Sequence, residues 1–343
     1  MRTRSSTPSG SSRSSTLDVF SIGDTVLDTF LDIQDQAVHC SLDASHCQIT
    51  FQLGEKVPVE GITKIPAAGN ASNAAIAARR LGLSSAIYAT IGRDEAGRAI
   101  MKRWKEEHID TRFVSISQEQ ETNAHTVLRY KGERTILIYH NPYPYALPKR
   151  LPSFKRVYYT SLGADHQTFE RELLAHLEAH PEIRMTFQPG THQLKRLARG
   201  LTNTLVRTDI IAMNREEAEL FLEQPSGAPL RDQLRHLVDL GPRIAVITDG
   251  EHGSYASDGK QFWFCASFPV PCLERTGAGD AFATTFTWAI DKGFSIPEAM
   301  RHATANSASV IQFVGPQAGL LSRDGLERLM RKYAQIQPTP LSL

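Results

Sequence analysis

Short apolar segments typical of β-strands alternate with longer segments of helical periodicity along most of this chain of 343 residues. The segment LDVFSIG at 17–23 is of the first kind, and GNASNAAIAARRLG at 69–82 is of the second. Repeated strand-then-helix units predict an α/β fold with a mostly parallel sheet that is covered by helices on both faces. Such sheets bind ligands in the loops at the carboxyl ends of their strands, so a functional site is expected there.

The chain is expected to consist of a tail followed by one folded domain. Residues 1–16 are rich in serine and contain three arginines and no acid, which predicts a disordered tail, with an organellar transit peptide as the alternative. The domain is expected at 17–335. Within it, the extended, β-rich segments of 29–66 predict a small β-sheet inserted between the first core strand and the helix at 69–82.

Composition argues against several classes of function. A formal net charge of +1 gives no sign of a surface for nucleic acid. No run approaches the roughly 18 apolar residues of a membrane span, so no membrane partner is expected. The four cysteines are too few for a disulfide framework in a chain of this length, and a cytoplasmic location is therefore expected.

The segment TGAGDAF at 276–282 sets two glycines and a carboxylate at the start of an apolar, helix-like run. Backbone N–H groups at a helix start favour an anion, and Asp280 could accept the proton of an attacking hydroxyl. This combination suits transfer of a phosphoryl group from a nucleotide to an alcohol. Ordinary helix capping is the structural alternative. The chain contains no P-loop GxxxxGK[ST], and no convincing dinucleotide GxGxxG follows the first strand.

Four motifs taken together resemble the PfkB family of ribokinase-like carbohydrate kinases. They are an early GD…D followed by AGNASNAA, then NREEAE, ITDGEHG and TGAGDAF, and the resemblance covers about 17–325. It implies a three-layer α/β/α sandwich with a small β-sheet lid, which matches the insertion at 29–66. It also implies transfer of the γ-phosphate of ATP, with Mg²⁺, to a hydroxyl of a sugar or nucleoside. Because the lid forms a dimer interface in many members, the resemblance allows a homodimer through the lid.

The resemblance also implies a role for each motif residue. Asp280 would be the catalytic base, and Gly277, Ala278 and Gly279 would form the backbone anion hole. The residues expected to bind the sugar are Asp24, Asp28, Gly69, Asn70, Asn73 and Arg134. The residues expected to bind the nucleotide are Asn214, Thr248, Gly250, Gly253, Thr276 and Asn306, while Glu217 would organise Mg²⁺ through water. Each of these assignments has a structural alternative. It is helix N-capping for Asn70, Asn73 and Asn214, a simple turn for Gly250 and Gly253, and a solvent-facing position for Asn306.

The chain departs from the family pattern in two places. The family often has Asp-Thr before the TGAGD threonine, where this chain has Glu274 and Arg275. That aspartate helps to bind an activating monovalent cation in several members, so the substitution puts potassium activation in doubt. Gln188 stands where NPG or NPA is common, which is expected to alter the surroundings of the phosphates.

The acceptor is expected to be a free sugar, with three alternatives left open. A sugar phosphate would need cations near the site, and Arg134, Arg93 and Lys56 are the candidates. A nucleoside would need an aromatic or apolar slot, for which Phe51 is the lid candidate. A protein that senses a sugar or nucleotide without catalysis could use the same scaffold.

Overall fold

The computed structural model describes residues 16–34, 38–40, 47–131, 133–197 and 202–341. Nearly all of the tail expected at 1–16 therefore lies outside the described residues. The described strands are β1 (Leu17–Ile22), β2 (Val26–Ile33), β3 (Val38–Cys40), β4 (Cys47–Ile49), β5 (Val59–Ala68), β6 (Ser85–Gly92), β7 (Asp110–Ser117), β8 (Ala124–Tyr130), β9 (Glu133–Tyr139), β10 (Phe154–Tyr159), β11 (Arg184–Phe187), β12 (Ile210–Asn214), β13 (Ile244–Thr248), β14 (Ser254–Ser257), β15 (Phe262–Cys265) and β16 (Thr339–Pro340). The described helices are α1 (Asn70–Arg80), α2 (Glu95–Glu106), α3 (Gln167–Ala179), α4 (Thr191–Leu197), α5 (Thr202–Arg207), α6 (Arg215–Phe221), α7 (Leu230–Asp239), α8 (Ala278–Asp291), α9 (Ile296–Val310) and α10 (Arg323–Lys332).

Ten of the described strands form one sheet, in the order β16-β15-β14-β13-β12-β11-β10-β1-β6-β7. The strands from β13 to β7 in this order run parallel, and β14, β15 and β16 extend the sheet as antiparallel neighbours. Apart from the edge strand β7, the parallel strands are largely buried, because side chains of alternate residues enter the core on either face. In β12, for example, Ile211 packs on one side and Ile210 on the other.

Helices cover both faces of this sheet. Leucine, phenylalanine and alanine side chains from α3, α5, α6 and α7 fill one core, and those from α1, α8, α9 and α10 fill the other. The helix α8 is buried from Asp280 to Ala289 on all sides, as expected for a helix that is apolar around its whole circumference. The predicted α/β class and three-layer arrangement are confirmed. No helix in the described ranges combines the length and the apolar character that crossing a membrane requires.

A second, smaller sheet has the strand order β5-β2-β8-β9. The sequence analysis located the small sheet within 29–66, but β8 and β9 at 124–139 contribute half of its strands. In this sheet β2 runs antiparallel to β5 and parallel to β8. Asp28 of β2 pairs directly with His125 of β8, so the two side chains project from the same face. We call this four-stranded sheet the lid.

The start of α1 differs from the expected Asn or Ser cap. Gly69 is the N-cap residue, with φ 92°, and its helix has no side-chain cap hydrogen bond. A Cβ at Gly69 would lie 2.9 Å from the carbonyl oxygen of Asp24, so the left-handed backbone and the close packing both favour glycine. The polar side chains that follow Gly69 do not cap the helix, so they can make other contacts, as that of Asn73 does with Asp280.

Candidate active site

A cleft of about 250 Å³ opens at the carboxyl ends of the parallel strands, beneath the lid. Its walls come from separate parts of the chain: the lid strands, the start of α1, the ends of β12 and β13, and the turn before α8. Many of the predicted site residues line it. They are Asp28, Gly69, Asn70, Asn73, Arg134, Asn214, Glu217, Thr248, Thr276, Gly277, Gly279 and Asp280.

The carboxylate of Asp280 lies in the first turn of α8 and is 7% exposed. The Asn73 Nδ2 donates to Asp280 Oδ2 at 2.7 Å, and the Gln188 Nε2 donates to Asp280 Oδ1 at 2.9 Å. Loss of hydration raises the pKa of Asp280, and the nearby Asp28 charge raises it further, whereas the two amide hydrogen bonds oppose the shift. The carboxylate is thus held in place by one donor on each oxygen.

The two amides that hold Asp280 are themselves oriented by neighbours. The Gln317 Nε2 donates to Asn73 Oδ1 at 3.2 Å, so the Nδ2 of Asn73 faces Asp280. The Tyr158 hydroxyl donates to Gln188 Oε1 at 2.5 Å, which fixes the Gln188 amide in the same sense. Helix capping by Asn73, the structural alternative, is not what the side chain does.

The turn before α8 lines the cleft with Thr276, Gly277 and Gly279. Gly277 has φ 80°, and a Cβ there would lie 2.2 Å from the Cβ of Pro316, so only glycine fits. Within the described part of the chain, the N–H groups of Gly277, Gly279 and Asp280 have no acceptor. Unpaired N–H groups at the start of a helix, together with the helix dipole, favour an anion.

Ala278, predicted to belong to the anion hole, differs from the two glycines beside it. Its N–H donates to the carbonyl oxygen of Arg275 at 3.3 Å, closing the turn, and Ala278 does not line the cleft. The N–H groups of the flanking Gly277 and Gly279, which both line the cleft, have no such partner among the described residues.

Asp28 approaches the cleft from the lid and contacts the histidine His125. His125 Nδ1 lies 3.2 Å from Asp28 Oδ1, and His125 lines the cleft. The Nε2 atoms of His125 and His140 lie 2.8 Å apart, so one of them donates and the other accepts. Although part of the His140 ring is exposed, loss of hydration and the neighbouring His125 and His192 lower its pKa to about 4. His140 is therefore neutral near pH 7.

Asn214 and Glu217 form a reciprocal cap at the start of α6. The Glu217 N–H donates to Asn214 Oδ1 at 2.8 Å, and the Asn214 N–H donates to Glu217 Oε2 at 2.9 Å. Loss of hydration raises the pKa of Glu217 to about 7. Asn214 and Glu217 therefore do cap α6, as the structural alternative had it, and both residues also line the cleft.

The donor set of the cleft fits a nucleotide with Mg²⁺. The Thr276 hydroxyl is buried without a hydrogen-bond partner among the described residues, and the glycine N–H groups are unpaired. No group of three or more His, Cys, Asp or Glu residues that could hold a metal ion occurs in the described ranges. Mg²⁺ characteristically keeps several waters and uses one or two carboxylates plus phosphates, so a single carboxylate such as Glu217 is a fitting partner.

Asp24 does not line the cleft. It is buried, and the Tyr145 hydroxyl lies 2.9 Å from both of its carboxylate oxygens. Loss of hydration raises the pKa of Asp24 to about 7, against the lowering effect of Tyr145. The sequence alone does not show which of Asp24 and Asp28 lines the cleft, because both follow β1 closely. Only the course of the chain into β2 places Asp28 in the lining.

The Asp24→Asn substitution should change how stability depends on pH. A carboxyl whose pKa rises from 3.8 unfolded to about 7 folded contributes stability below the first value and loses it as pH rises through the second. The free energy of unfolding of the variant, relative to that of the unsubstituted chain, should therefore rise by on the order of 3 kcal/mol between about pH 4 and pH 7. Denaturant titrations at several pH values measure this difference, and a constant difference across that range would contradict the burial argument.

Three predicted nucleotide-binding residues also lie away from the cleft lining. Gly250 and Gly253 belong to the turn between β13 and β14. This agrees with the simple turn that was the structural alternative to nucleotide binding. Asn306 is fully buried: its Nδ2 donates to the Thr285 hydroxyl at 2.7 Å, and its Oδ1 accepts from the Leu321 N–H at 2.9 Å. It links α9 to α8 and to Leu321, and it does not line the cleft.

Glu274 is 2% exposed and holds two loops together. Its Oε1 accepts from the Thr276 N–H at 2.7 Å, and its Oε2 accepts from the Gly315 N–H at 3.2 Å. The Glu274 carboxylate therefore accepts hydrogen bonds from the backbone of the turn before α8 and from the backbone of the loop that contains Gly315.

Two arginines line the cleft, Arg134 from the lid and Arg275 from the turn before α8. The other cations considered for a substrate phosphate do not. Arg93 is exposed and donates to Gln118 Oε1 at 2.9 Å, and Lys56 is exposed outside the lining.

Sequence reasoning missed the roles of Gln188 and His125. Gln188 carried a signal, because it departs from the expected NPG, and the structure shows it bound to Asp280. His125 had no such signal, since the pairing of β8 with β2 cannot be predicted from a single sequence. A buried carboxylate beside unpaired N–H groups can accept a proton while an adjacent anion is held, which is the requirement of phosphoryl transfer.

Comparison with known proteins bears on the whole cleft. Residues 39–323 match the pfkB family carbohydrate kinases. A ribokinase of Staphylococcus aureus is 25% identical over 305 residues, which cover 87% of this chain and 95% of the relative. An ATP-dependent 6-phosphofructokinase of Thermoanaerobacterium thermosaccharolyticum is 24% identical over 273 residues, covering 76% and 84%. The solved structure of an Arabidopsis thaliana ribokinase complexed with ribose and ATP shares the fold, with a TM-score of 0.74, 16% identity and coverage of 92% and 99%.

Proposed function

Because the chain belongs to the pfkB family of carbohydrate kinases, we propose that it transfers the γ-phosphate of ATP to a hydroxyl of a free sugar, with Asp280 as the general base. The observation that carries this proposal is the buried Asp280 carboxylate, held by Asn73 and Gln188 beside the unpaired N–H groups of Gly277 and Gly279. The names of the S. aureus and A. thaliana relatives support a sugar as acceptor.

In this mechanism Asp280 accepts the proton of the attacking hydroxyl. The hydrogen bonds from Asn73 and Gln188 favour its ionised form, while burial raises its pKa and strengthens it as a base. The N–H groups of Gly277 and Gly279 would hold the negative charge of the transferring group in a fixed position. Such preorganised donors need no rearrangement at the moment of reaction.

The acceptor would bind between the lid and the start of α1. Asp28 offers a carboxylate to sugar hydroxyls, and Asn70 offers both a donor and an acceptor from the first turn of α1. Arg134 and Gly69 complete this side of the cleft. Asn73 would act mainly by orienting Asp280, because both ends of its amide are already engaged.

The nucleotide would bind on the opposite side, against Asn214, Thr248 and the unpaired hydroxyl of Thr276. When bound, ATP supplies the phosphoryl group and Mg²⁺ neutralises charge on its phosphates. Glu217 would hold the metal ion through water. Potassium activation is not part of the proposal, because Glu274 is occupied with backbone donors.

The Glu217→Gln substitution should raise the Mg²⁺ concentration needed for half-maximal rate by about tenfold or more, since outer-shell ligands typically contribute 10- to 100-fold to metal affinity. Its exposed neighbour Glu216 provides the matched control, and Glu216→Gln should leave the Mg²⁺ requirement unchanged. Rate titrations against Mg²⁺ at saturating ATP measure both. Equal effects of the two variants would remove Glu217 from the metal site.

A panel of acceptors tests the proposed function. ADP release would be followed with free sugars, sugar phosphates and nucleosides, and we expect the highest kcat/KM on a free sugar. The presence of Arg134 and Arg275 in the cleft makes sugar phosphates the second candidate, and the name of the T. thermosaccharolyticum relative agrees with that choice. Phe51, the aromatic residue considered for a nucleoside, lies between β4 and β5, is 49% exposed and does not line the cleft. Tight sugar binding without any turnover would instead indicate a sensor.

A homodimer through the lid stays a proposal. The edge strands β5 and β9 expose Ile62, Leu137, Ile138 and Tyr139, each more than half exposed. Exposed apolar edge strands are surfaces on which a second chain can pair. Light scattering at micromolar concentrations would reveal the dimer, and a monomer mass throughout would argue against it.

A further inference from the structure

Arg275 lines the cleft and has no role in the proposed mechanism. It immediately precedes Thr276 in the turn that leads to Asp280, and it lines the cleft together with Gly277 and Gly279. At this position the sequence pattern discussed above has a neutral threonine. A guanidinium group has therefore been placed within two residues of the anion-hole donors.

The charged side chains that line the cleft indicate a role for the guanidinium group of Arg275. The carboxylates of Asp28, Glu217 and Asp280 line the cleft, and its lining residues include no lysine. Transfer of a phosphoryl group gathers negative charge on the oxygens of that group, and kinases commonly offset it with fixed cations besides Mg²⁺. Arg134 and Arg275 are the guanidinium groups available for this among the lining residues.

Of these two, Arg275 is the one tied to the anion-hole turn. The buried Glu274 anchors that turn through the Thr276 N–H, so the backbone position of Arg275 is well defined. Arg134 is instead carried by β9 of the lid, where its Cα partner is Arg129 of β8. Arg134 therefore belongs to the lid and not to the turn that contains Gly277 and Gly279.

The side chain of Arg275 is anchored only loosely in the absence of ligand. It is 54% exposed, and its recorded ion pair, from Nη1 to Glu133 Oε1 of the lid, spans 3.9 Å, with Glu133 76% exposed. An exposed pair at this distance contributes little free energy. The guanidinium can therefore turn toward the phosphates at small cost.

We propose that Arg275 is a catalytic residue that binds oxygens of the transferring γ-phosphoryl group, an inference that rests on the proposed kinase function. In the step it assists, a bond forms between the acceptor oxygen and the γ-phosphorus. The bond from that phosphorus to the oxygen bridging it to the β-phosphate breaks, and its electron pair leaves on ADP. The hydroxyl proton passes to Asp280, so the products are a phosphate monoester and ADP. The planar guanidinium can donate two parallel hydrogen bonds to the phosphoryl oxygens, which an ammonium group cannot.

The test compares Arg275→Gln with Arg275→Lys. The first should lower kcat by about a hundredfold or more with little change in the KM for the acceptor. The second should recover only part of that loss, because lysine restores a point charge without the fork. Arg93→Gln is the matched control, since Arg93 is an exposed arginine outside the cleft lining, and it should retain the original kcat. Equal kcat values for Arg275→Gln and Arg93→Gln would overturn the proposal.

A binding measurement separates this role from ordinary nucleotide binding. Calorimetric titration with MgADP alone should give affinities within about threefold for the unsubstituted chain and Arg275→Gln. MgADP with aluminium fluoride, which mimics the transferring group, should bind the variant about a hundredfold more weakly. Equal losses for both probes would assign Arg275 to the nucleotide ground state and refute the catalytic role. If the unsubstituted chain turns over no acceptor of the panel, the proposed function itself has failed, which is a different outcome from full activity in Arg275→Gln.

Discussion

Asp280→Asn is expected to lower turnover by about a hundredfold or more while leaving the binding of ATP and acceptor largely intact, as for the loss of a general base. The amide has nearly the shape of the carboxylate but cannot take up the hydroxyl proton. The new NH2 group will face either Asn73 Nδ2 or Gln188 Nε2, so one buried amide donor loses its acceptor, and the melting temperature is to be measured beside the rates. Steady-state rates and calorimetric affinities, measured side by side, separate the loss of chemistry from a loss of binding.

The control for Asp280→Asn is Asp324→Asn. Asp324 also lies in the first turn of a helix, α10, but it is exposed and outside the cleft lining. Its replacement should leave kcat unchanged, because helix capping effects at an exposed position are worth well under about 1 kcal/mol. Turnover that survives Asp280→Asn at the level of this control would assign the base role elsewhere.

Gly279→Ala is expected to reduce kcat by about tenfold to a hundredfold without lowering the melting temperature. The nearest atom to a Cβ at Gly279 is Gln188 Nε2 at 3.9 Å, which is ordinary contact. In addition, alanine is favoured over glycine inside a helix by about 1 kcal/mol. Nothing in the fold therefore requires glycine here, whereas a methyl group would project beside the donors that are proposed to approach the phosphates.

Gly277→Ala provides the contrast, because there the fold itself requires glycine. Its φ of 80° and the 2.2 Å approach of Pro316 predict a lower melting temperature as well as lost activity. Calorimetry and rate assays on both variants distinguish the two causes. A fully active Gly279→Ala would mean that the turn does not approach a ligand closely.

The strand-and-helix alternation of the sequence was sufficient to predict the layered fold, but not the full composition of the lid. The sequence HTVLRYKGERTILIYH at 125–140 is typical of a hairpin that turns at KGE, and β8 and β9 form an antiparallel pair there. Nothing in one sequence tells which sheet a hairpin joins, since that depends on pairing with β2 over about a hundred residues of chain. For the same reason β7 was not anticipated as the edge of the main sheet.

Residues of the cleft lining were predictable where a motif dictates local geometry. The turn from Thr276 to Asp280 is such a case, because its backbone is fixed by its own glycines. Asn306 and Asp24 were not, since a short polar side chain can face a ligand or a buried partner with equal local propensity. The choice is made by distant groups, the Leu321 N–H for Asn306 and the Tyr145 hydroxyl for Asp24.

The measurement that tests the central claim most directly is a crystal structure with the acceptor found by the panel and a non-hydrolysable ATP analogue. We expect an acceptor hydroxyl within hydrogen-bonding distance of the Asp280 carboxylate, with the terminal phosphate against the N–H groups of Gly277 and Gly279. An acceptor whose hydroxyls all lie away from Asp280, or a terminal phosphate bound outside this turn, would contradict the account.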